Sequence, residues 1–353
     1  METTRFRNRI EHLTSALVPD SLEHIPHGVQ SFLMILVYLS QIDQLEARKL
    51  QRVVSLGRQI LGWRELHPYE EAIGRILTKQ SSIRPQDETE RVALETCHPM
   101  WFARRVMSVF GRGLGLQILK RNLTNVPLYV RVNPLKSSSH LDQQKFRDAV
   151  EVVGIQGVWR LGHLKTLSQQ QSAVAAGEVV IQDLSAIVAD LVACPVAGNT
   201  VLDVCSAPGN KTSHCAALMG NEGRILSVDL SSERMLQWNR EMTRTGCLIA
   251  EAVMADARRL ELNVEADVVI VDPPCSNSGV FAKNPSMKWR ITPSRLNSLA
   301  IRQFTILQSS ARYVRRGSNL IYCTCSILPE ENEDVLIDFL RRNPDFHMTR
   351  QQP

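Results

Sequence analysis

The stretch Asp272-Pro273-Pro274-Cys275-Ser276 closes a run, Ala266 to Val271, that reads as a fully buried strand. Two prolines cannot continue a sheet ladder, so the strand stops there and leaves an aspartate and a thiol at its carboxyl end. In open α/β sheets that edge is where ligands bind. A second buried strand, Asn319 to Tyr322, runs out into Cys323-Thr324-Cys325-Ser326 and brings another thiol to the same edge. Two strand ends carrying candidate cysteines constrain the chain more than any other feature.

Composition limits the alternatives. At 353 residues with 44% hydrophobic content, the chain is long enough for two or three soluble globular domains. The longest apolar run near its start, Phe32 to Leu39, is far short of the roughly 20 residues that a membrane span needs. Residues 2 to 9 hold no secretory apolar segment, and a cytoplasmic protein is expected. None of the eight cysteines forms a CxxC pair, which argues for reduced thiols and against both a disulfide framework and a metal site. The net charge is only +5, yet residues 91 to 136 hold eight Lys/Arg against one acid, and residues 273 to 329 hold eight against none. Two basic segments in an otherwise acidic chain point to a polyanion, nucleic acid above all, although solvated helix faces would give the same counts.

Along the chain, residues 1–90 carry helical apolar stripes in Val29 to Leu39 and Leu50 to Leu61 and read as a helical module. The acidic patch Ser81 to Glu90, with Pro85, reads as a linker. The expected helix from Pro99 to Arg121 carries Arg104, Arg105, Arg112, Lys120 and Arg121, suited to lining a phosphate track. Leu128 to Val132 alternates like a strand and Leu141 to Val153 like a helix, so residues 126–185 are expected to form a small α/β unit, which with the basic helix makes one subdomain at 91–185. From Thr200 onward, short buried strands alternate with helices, which predicts a doubly wound parallel sheet. Its candidate strands are Val201 to Val204, Arg224 to Val228, Ile249 to Met254, Ala266 to Val271 and Asn319 to Tyr322. Thr292-Pro293 is expected to open a helix that Gly317 closes, and another is expected to run from Pro329 to Arg342.

The first of these strands exits through Asp203-Val204-Cys205-Ser206-Ala207-Pro208-Gly209-Asn210-Lys211-Thr212. This is a small-residue turn into a helix, hence a nucleotide-type site. It is neither a P-loop, which needs glycine before Lys-Thr, nor the G-x-G-x-x-G dinucleotide fingerprint. Asp229, ending the second strand, is placed to accept both hydroxyls of a ribose, and Asp256, after the third, to hold an adenine. Each acid alone would more ordinarily cap a helix; it is the set at successive strand ends that points to a cofactor.

These residues resemble the RNA cytosine-5 methyltransferases of the Sun/Fmu type, which use S-adenosyl-L-methionine. The resemblance runs from Leu128-Tyr129-Val130-Arg131-Val132-Asn133 through Ile181 to Ser185, the Asp203 to Thr212 loop and Asp272 to Ser276. It continues through Asn284-Pro285, Lys288-Trp289-Arg290, Cys323 to Ser326 and Pro329 to Glu333, in family order. It implies a Rossmann-like methyltransferase domain at 186–353, preceded by an RNA-binding subdomain at 91–185, the basic helix plus the small α/β unit; the helical module at 1–90 lies outside it. In relatives a closing antiparallel hairpin follows, which a chain ending at Pro353 lacks.

By that resemblance Cys205, Ser206, Ala207, Pro208, Gly209, Lys211, Asp229, Arg234, Asp256 and Asp272 would surround the cofactor. Cys325 is similar to the family's nucleophile and Cys275 to the thiol that assists product release. The chemistry explains the need: C5 of cytosine is a poor nucleophile until a thiolate adds to C6. Lys211 would help hold the thiolate, and Asp272 would act at the N3 and N4 edge of the base. RNA is the expected partner, either rRNA or tRNA, with its target base extruded or already unpaired. Arg104, Arg105, Arg131, Lys288, Trp289 and Arg290 are the candidates to grip it. A monomer is expected.

Asn210 departs from the family's loop, where a second glycine is usual; asparagine tolerates a left-handed backbone, so the turn is expected to survive. Two other readings remain open from sequence. One is a catalytically idle RNA-binding or ribosome-assembly factor on the same fold. The other is a DNA methyltransferase, in which the Pro-Cys thiol rather than the Thr-Cys thiol would be the nucleophile.

Overall fold

The computed structural model describes residues 2–18, 21–79, 83, 85–137, 149–162 and 171–349. They divide into two compact units, Met1–Asn125 with Val280–Thr292, and Val126–Gly279 with Pro293–Pro353.

The first unit is helical. Its longer helices are Arg7–Ser15, His27–Val37, Ala47–Leu61, Glu70–Leu77, Glu88–Thr96 and Met100–Arg121. Val29, Leu33 and Leu36 repeat at helical spacing, as do Leu50 and Val54, and they close one core with Ile10, Leu13, Ile73 and Ile76. Part of the expected linker is ordered: Asp87 accepts a hydrogen bond from the backbone N–H of Glu90 at 2.7 Å and starts the helix Glu88–Thr96. Residues 81, 82 and 84 of that linker lie outside the described residues. The basic helix is not continuous, because Gly111 at φ 73° breaks it.

Residues 280–292 join this unit although they are far away in sequence. Phe281 packs against Phe102 with ring centroids 5.1 Å apart. Lys288 Nζ donates to the Arg5 carbonyl at 2.7 Å and Trp289 Nε1 to the Thr4 carbonyl at 2.6 Å.

The second unit holds two sheets. A small antiparallel sheet of β1 (Leu128–Val132), β2 (Ala149–Glu151), β3 (Val158–Leu161) and β4 (Val179–Ile181) has the order β2-β3-β1-β4. The expected helix from Leu141 to Val153 falls partly on residues 141–148, outside the described residues; Ala149–Glu151 is strand, paired with β3.

The large sheet is parallel throughout. It comprises β5 (Thr200–Val204), β6 (Arg224–Asp229), β7 (Ala250–Met254), β8 (Ala266–Val271) and β9 (Val314–Tyr322), in the order β7-β6-β5-β8-β9. β8 lies between two neighbours and buries Val269, Ile270 and Val271 almost completely, each worth about 1.5–3 kcal/mol relative to exposure. The chain leaves β5 towards β6 and β7, then returns to place β8 on the other side of β5. That reversal is the topological switch point, where a crevice opens at the carboxyl ends of β5 and β8.

Two expectations are corrected here. The helix that begins at Pro293 ends at Ser310, and Gly317 does not close it. Gly317 lies instead within β9 at φ 80°, where the register jumps from Ala266 opposite Val314 to Val268 opposite Asn319. The last helix starts at Glu333 rather than Pro329, because Asn332 (φ −122°, ψ −92°) separates it from a short turn at Pro329–Glu331. The compact units also cut the chain differently from the expected boundaries. Phe102, Ala103, Val106 and Leu119 bury one side of the basic helix, and Asn122 bonds back to His98 and Arg5, so this helix belongs with the helical unit. The small sheet stays with the large one through Asn133, whose Nδ2 donates to the carbonyls of Gly177 and Thr245.

Candidate active site

At the switch point the loop after β5 turns sharply. Cys205 (φ 64°) and Gly209 (φ 109°) take the left-handed backbone, and a Cβ on Gly209 would come 2.7 Å from Met242 and 3.0 Å from Trp238. Asn210 does not need a left-handed conformation, contrary to expectation: it is the first residue of the helix Asn210–Leu218. The loop lines a cleft of about 390 Å³ together with Lys211, Arg234, Asp272, Cys275, Asn277 and Cys325.

Asp203 reaches this cleft fully buried. Thr212 donates to its Oδ2 at 2.6 Å, while Oδ1 has no partner among the described residues. Burial outweighs the Thr212 hydrogen bond and pushes the carboxyl up to about 7. The folded protein therefore binds this proton more tightly than the unfolded chain, and stability falls as pH rises from about 4 to about 7. Asp203→Asn, which can still accept from Thr212, is expected to stabilise the protein by up to about 4 kcal/mol above that window and by little below it. Chemical denaturation at several pH values checks this; an equal effect at all pH values would refute it.

The acids at the neighbouring strand ends do different jobs. Asp229 is buried, accepts from the backbone N–H of Ala207 at 3.2 Å and of Ser231 at 3.0 Å, and pairs with Arg234 at 3.1 Å. Arg234 also donates to the Ala207 carbonyl, so the two side chains brace the loop. Asp256 caps the turn Ala257–Arg259, and the side-chain hydrogen bond from Arg258 holds its carboxyl down to about 2. It is not among the residues lining the cleft. Here the ordinary capping role describes what the residue touches.

Lys211 Nζ pairs with Asp272 at 2.6 Å. Burial works against the ammonium, but Asp272 overrides it and raises the Lys211 pKa. Lys211 was expected to support a thiolate; among the described residues it neutralises Asp272 instead.

The two thiols meet. Cys275 Sγ and Cys325 Sγ lie 2.9 Å apart, Cys325 Sγ also contacts Asn277 Oδ1 at 3.0 Å, and both cysteines line the cleft. The hydrogen bond between the sulfurs lowers the Cys275 pKa against the effect of burial. The same bond, reinforced by burial and by Asp272, raises that of Cys325. The two thiols therefore titrate as a coupled pair, with Cys275 the more acidic partner.

The surrounding loops are laced together. Gly279 N–H donates to the Cys325 carbonyl at 2.9 Å, and the Ser278 and Ser326 hydroxyls are 2.9 Å apart. Glu331, fully buried, accepts from the Ser276 N–H at 2.8 Å and from Gln303 at 2.9 Å. Cys205 and Cys323 are partly buried, and desolvation shifts both upward, Cys205 to about 12, so neither is a ready thiolate.

The candidate RNA contacts separate into two groups. Arg104 and Arg290 are exposed and Arg105 is partly so. Lys288 is not available to a phosphate: it is 1% exposed, bonded to Arg5, and desolvation pushes its ammonium down to about 8. The indole N–H of Trp289 is likewise committed to Thr4, so the residue anchors its segment. Arg131 is also removed from the surface. At 2% exposure it donates to Gln182 at 2.7 Å and to Ser213 at 2.8 Å, while Gln182 and His214 both reach Asp190 at 2.8 Å. This chain ties the small sheet to the first helix of the cofactor loop. Sequence reasoning missed that role, along with Glu331 and Asn277, because a charged or amide residue reads the same whether it faces solvent or fills a polar core.

A five-stranded parallel sheet with a switch-point cleft of this kind is a Rossmann-like architecture. Residues 190–352 match the family model described as 16S rRNA methyltransferase RsmB/F. A probable ribosomal RNA small subunit methyltransferase B of Bacillus subtilis (strain 168) is 33% identical over 266 residues, which are 74% of this chain and 60% of that protein. The chain thus spans about 60% of the length of this curated relative. The crystal structure of PH0851 superposes with a TM-score of 0.80 at 27% identity, covering 97% of this chain and 79% of that one. A methyltransferase homolog protein from Pyrococcus horikoshii gives 0.63 at 26%, covering 73% and 83% respectively. Over residues 190–352 the chain matches the RsmB/F, or Sun/Fmu, family.

Proposed function

We propose that the protein transfers a methyl group from S-adenosylmethionine to C5 of cytosine in RNA, through a covalent adduct between Cys325 and C6. The observation that carries this reading is the pair of thiols, 2.9 Å apart, in a switch-point cleft beside the Lys211–Asp272 pair. Ribosomal RNA is the substrate class favoured by the family model and by the relative's name.

The cleft fits the cofactor. It offers the orphaned Asp203 Oδ1, the small-residue wall from Cys205 to Pro208, and Arg234, while Asp229 braces that loop from behind. The loop from Cys205 to Gly209 with Asp229 and Arg234 would hold it, and the group supplies an electrophilic methyl when bound.

The chain's own groups do the rest. Cys325, as thiolate, adds to C6 of the base, and the electron density released at C5 makes that carbon nucleophilic. Asp272, sharing a proton with Lys211, would donate it to N3 and accept from the N4 amino group as charge builds there. After methylation the C5 proton passes to a base, the C6–S bond breaks and the Cys325 thiolate returns. Cys275 is the neighbouring thiol positioned to take part in that release. Exposed Arg104 and Arg290, with Arg105, are the groups offered to RNA phosphates. Cytoplasmic conditions would keep the eight free cysteines reduced.

The test is transfer of labelled methyl from S-adenosylmethionine to small-subunit ribosomal RNA, followed by nucleoside analysis. Label in 5-methylcytidine supports the reading. Label in another nucleoside, or no transfer to ribosomal or total RNA, overturns it.

A further inference from the structure

Asn277 lies within the loop that follows Cys275 and takes a left-handed backbone (φ 59°), which asparagine tolerates better than most residues. Its side chain is partly buried in the wall of the cleft. Nδ2 donates to the Cys275 carbonyl at 3.2 Å, and this fixes the carboxamide. Oδ1 therefore faces Cys325 Sγ at 3.0 Å and accepts the thiol proton. A carboxamide oxygen has only lone pairs to offer, so this contact stabilises the thiol and opposes the thiolate.

Nothing else facing Cys325 reverses that preference. Among the described residues, Lys211 of the cleft wall is committed to Asp272 at 2.6 Å. Glu331 is a second acid behind the Cys275 loop, bonded to the Ser276 N–H and to Gln303. Cys275, at 2.9 Å, is the remaining titratable neighbour.

We propose that Asn277 is a positioning residue that keeps Cys325 as a protonated thiol until the target base enters the cleft. Release requires the carboxamide to be displaced or to turn its N–H towards the sulfur. The Cys325 S–H bond then breaks, its proton passing to solvent water, and the thiolate is left beside the base. The significance for catalysis rests on the proposed function; the contact itself does not. Such a restraint would limit reaction of the nucleophile with other electrophiles while the site is empty.

The test is the pH dependence of iodoacetamide alkylation at Cys325 in the full chain, read peptide by peptide by mass spectrometry. Asn277→Gly keeps the left-handed backbone and removes the acceptor, whereas Asn277→Asp keeps the shape and cannot donate. The Cys325 midpoint is expected to fall by about one pH unit in Asn277→Gly and to rise in Asn277→Asp. The methyl-transfer pH profiles of the two variants should move in the same opposite directions. A midpoint unchanged or raised in Asn277→Gly, or lowered in Asn277→Asp, overturns the proposal. Should the glycine variant fail to fold by circular dichroism, the aspartate variant still decides. Wild-type protein that transfers no methyl sinks the proposed function but leaves the alkylation order to be judged. Normal methyl transfer with the wrong alkylation order sinks this inference alone.

Discussion

Cys325→Ala is expected to abolish methyl transfer, by a factor of about 10⁴ or more, without unfolding the protein. The side chain lost makes two sulfur contacts, to Cys275 at 2.9 Å and to Asn277 at 3.0 Å, and the position is only partly buried. The Gly279 N–H still has the backbone carbonyl at position 325 to donate to, so the loop keeps its anchor. What disappears is the atom that must add to C6, and no other thiol replaces it. Cys323 donates weakly to the Val271 carbonyl and is shifted upward by burial, and Cys275 belongs to the other loop. Methyl transfer and thermal melts measured on the same preparation check this. Residual activity within tenfold of wild type would show that Cys325 is not the nucleophile.

Cys275→Ala is expected to divide the reaction in half. Addition and methylation remain possible because Cys325 is intact, but release slows by about 10² to 10³-fold if Cys275 assists it by acid–base work. Cys275 is the more acidic of the two thiols through its hydrogen bond with Cys325, and it lies 2.9 Å from the sulfur whose bond to C6 must break. The variant should therefore accumulate a protein–RNA species that survives denaturing electrophoresis and carries one methyl per adduct. Free turnover with no such species would remove Cys275 from the release step.

The inner strands β5, β6 and β8 were readable because parallel strands buried on both faces appear as short apolar runs, and Asp272-Pro273-Pro274 marks the end of β8 at the residue observed. The pairing of Cys275 with Cys325 followed from the same logic, two strand ends at one edge. Neighbourhood was harder to read. The sequence around Lys288 is acid-free and looks like a polyanion surface, yet the lysine is sequestered by the Arg5 carbonyl, a contact between residues 283 apart. Arg131 alternates correctly within β1 but faces the polar chain through Gln182 and Asp190 rather than solvent. Gly317 carries the usual mark of a helix end, while the register jump in β9 claims its left-handed backbone. In each case a local signal was overridden by a partner that sequence distance conceals.

The most direct test of the central claim is to incubate wild-type protein with S-adenosylmethionine and RNA in which 5-fluorocytidine replaces cytidine. Fluorine at C5 cannot leave as a proton, so the release step is blocked while addition and methylation proceed. The account predicts a stable adduct whose digested peptide carries a methylated fluorocytidine on Cys325. An adduct on Cys275, or none under conditions where the protein methylates ordinary RNA, would contradict it.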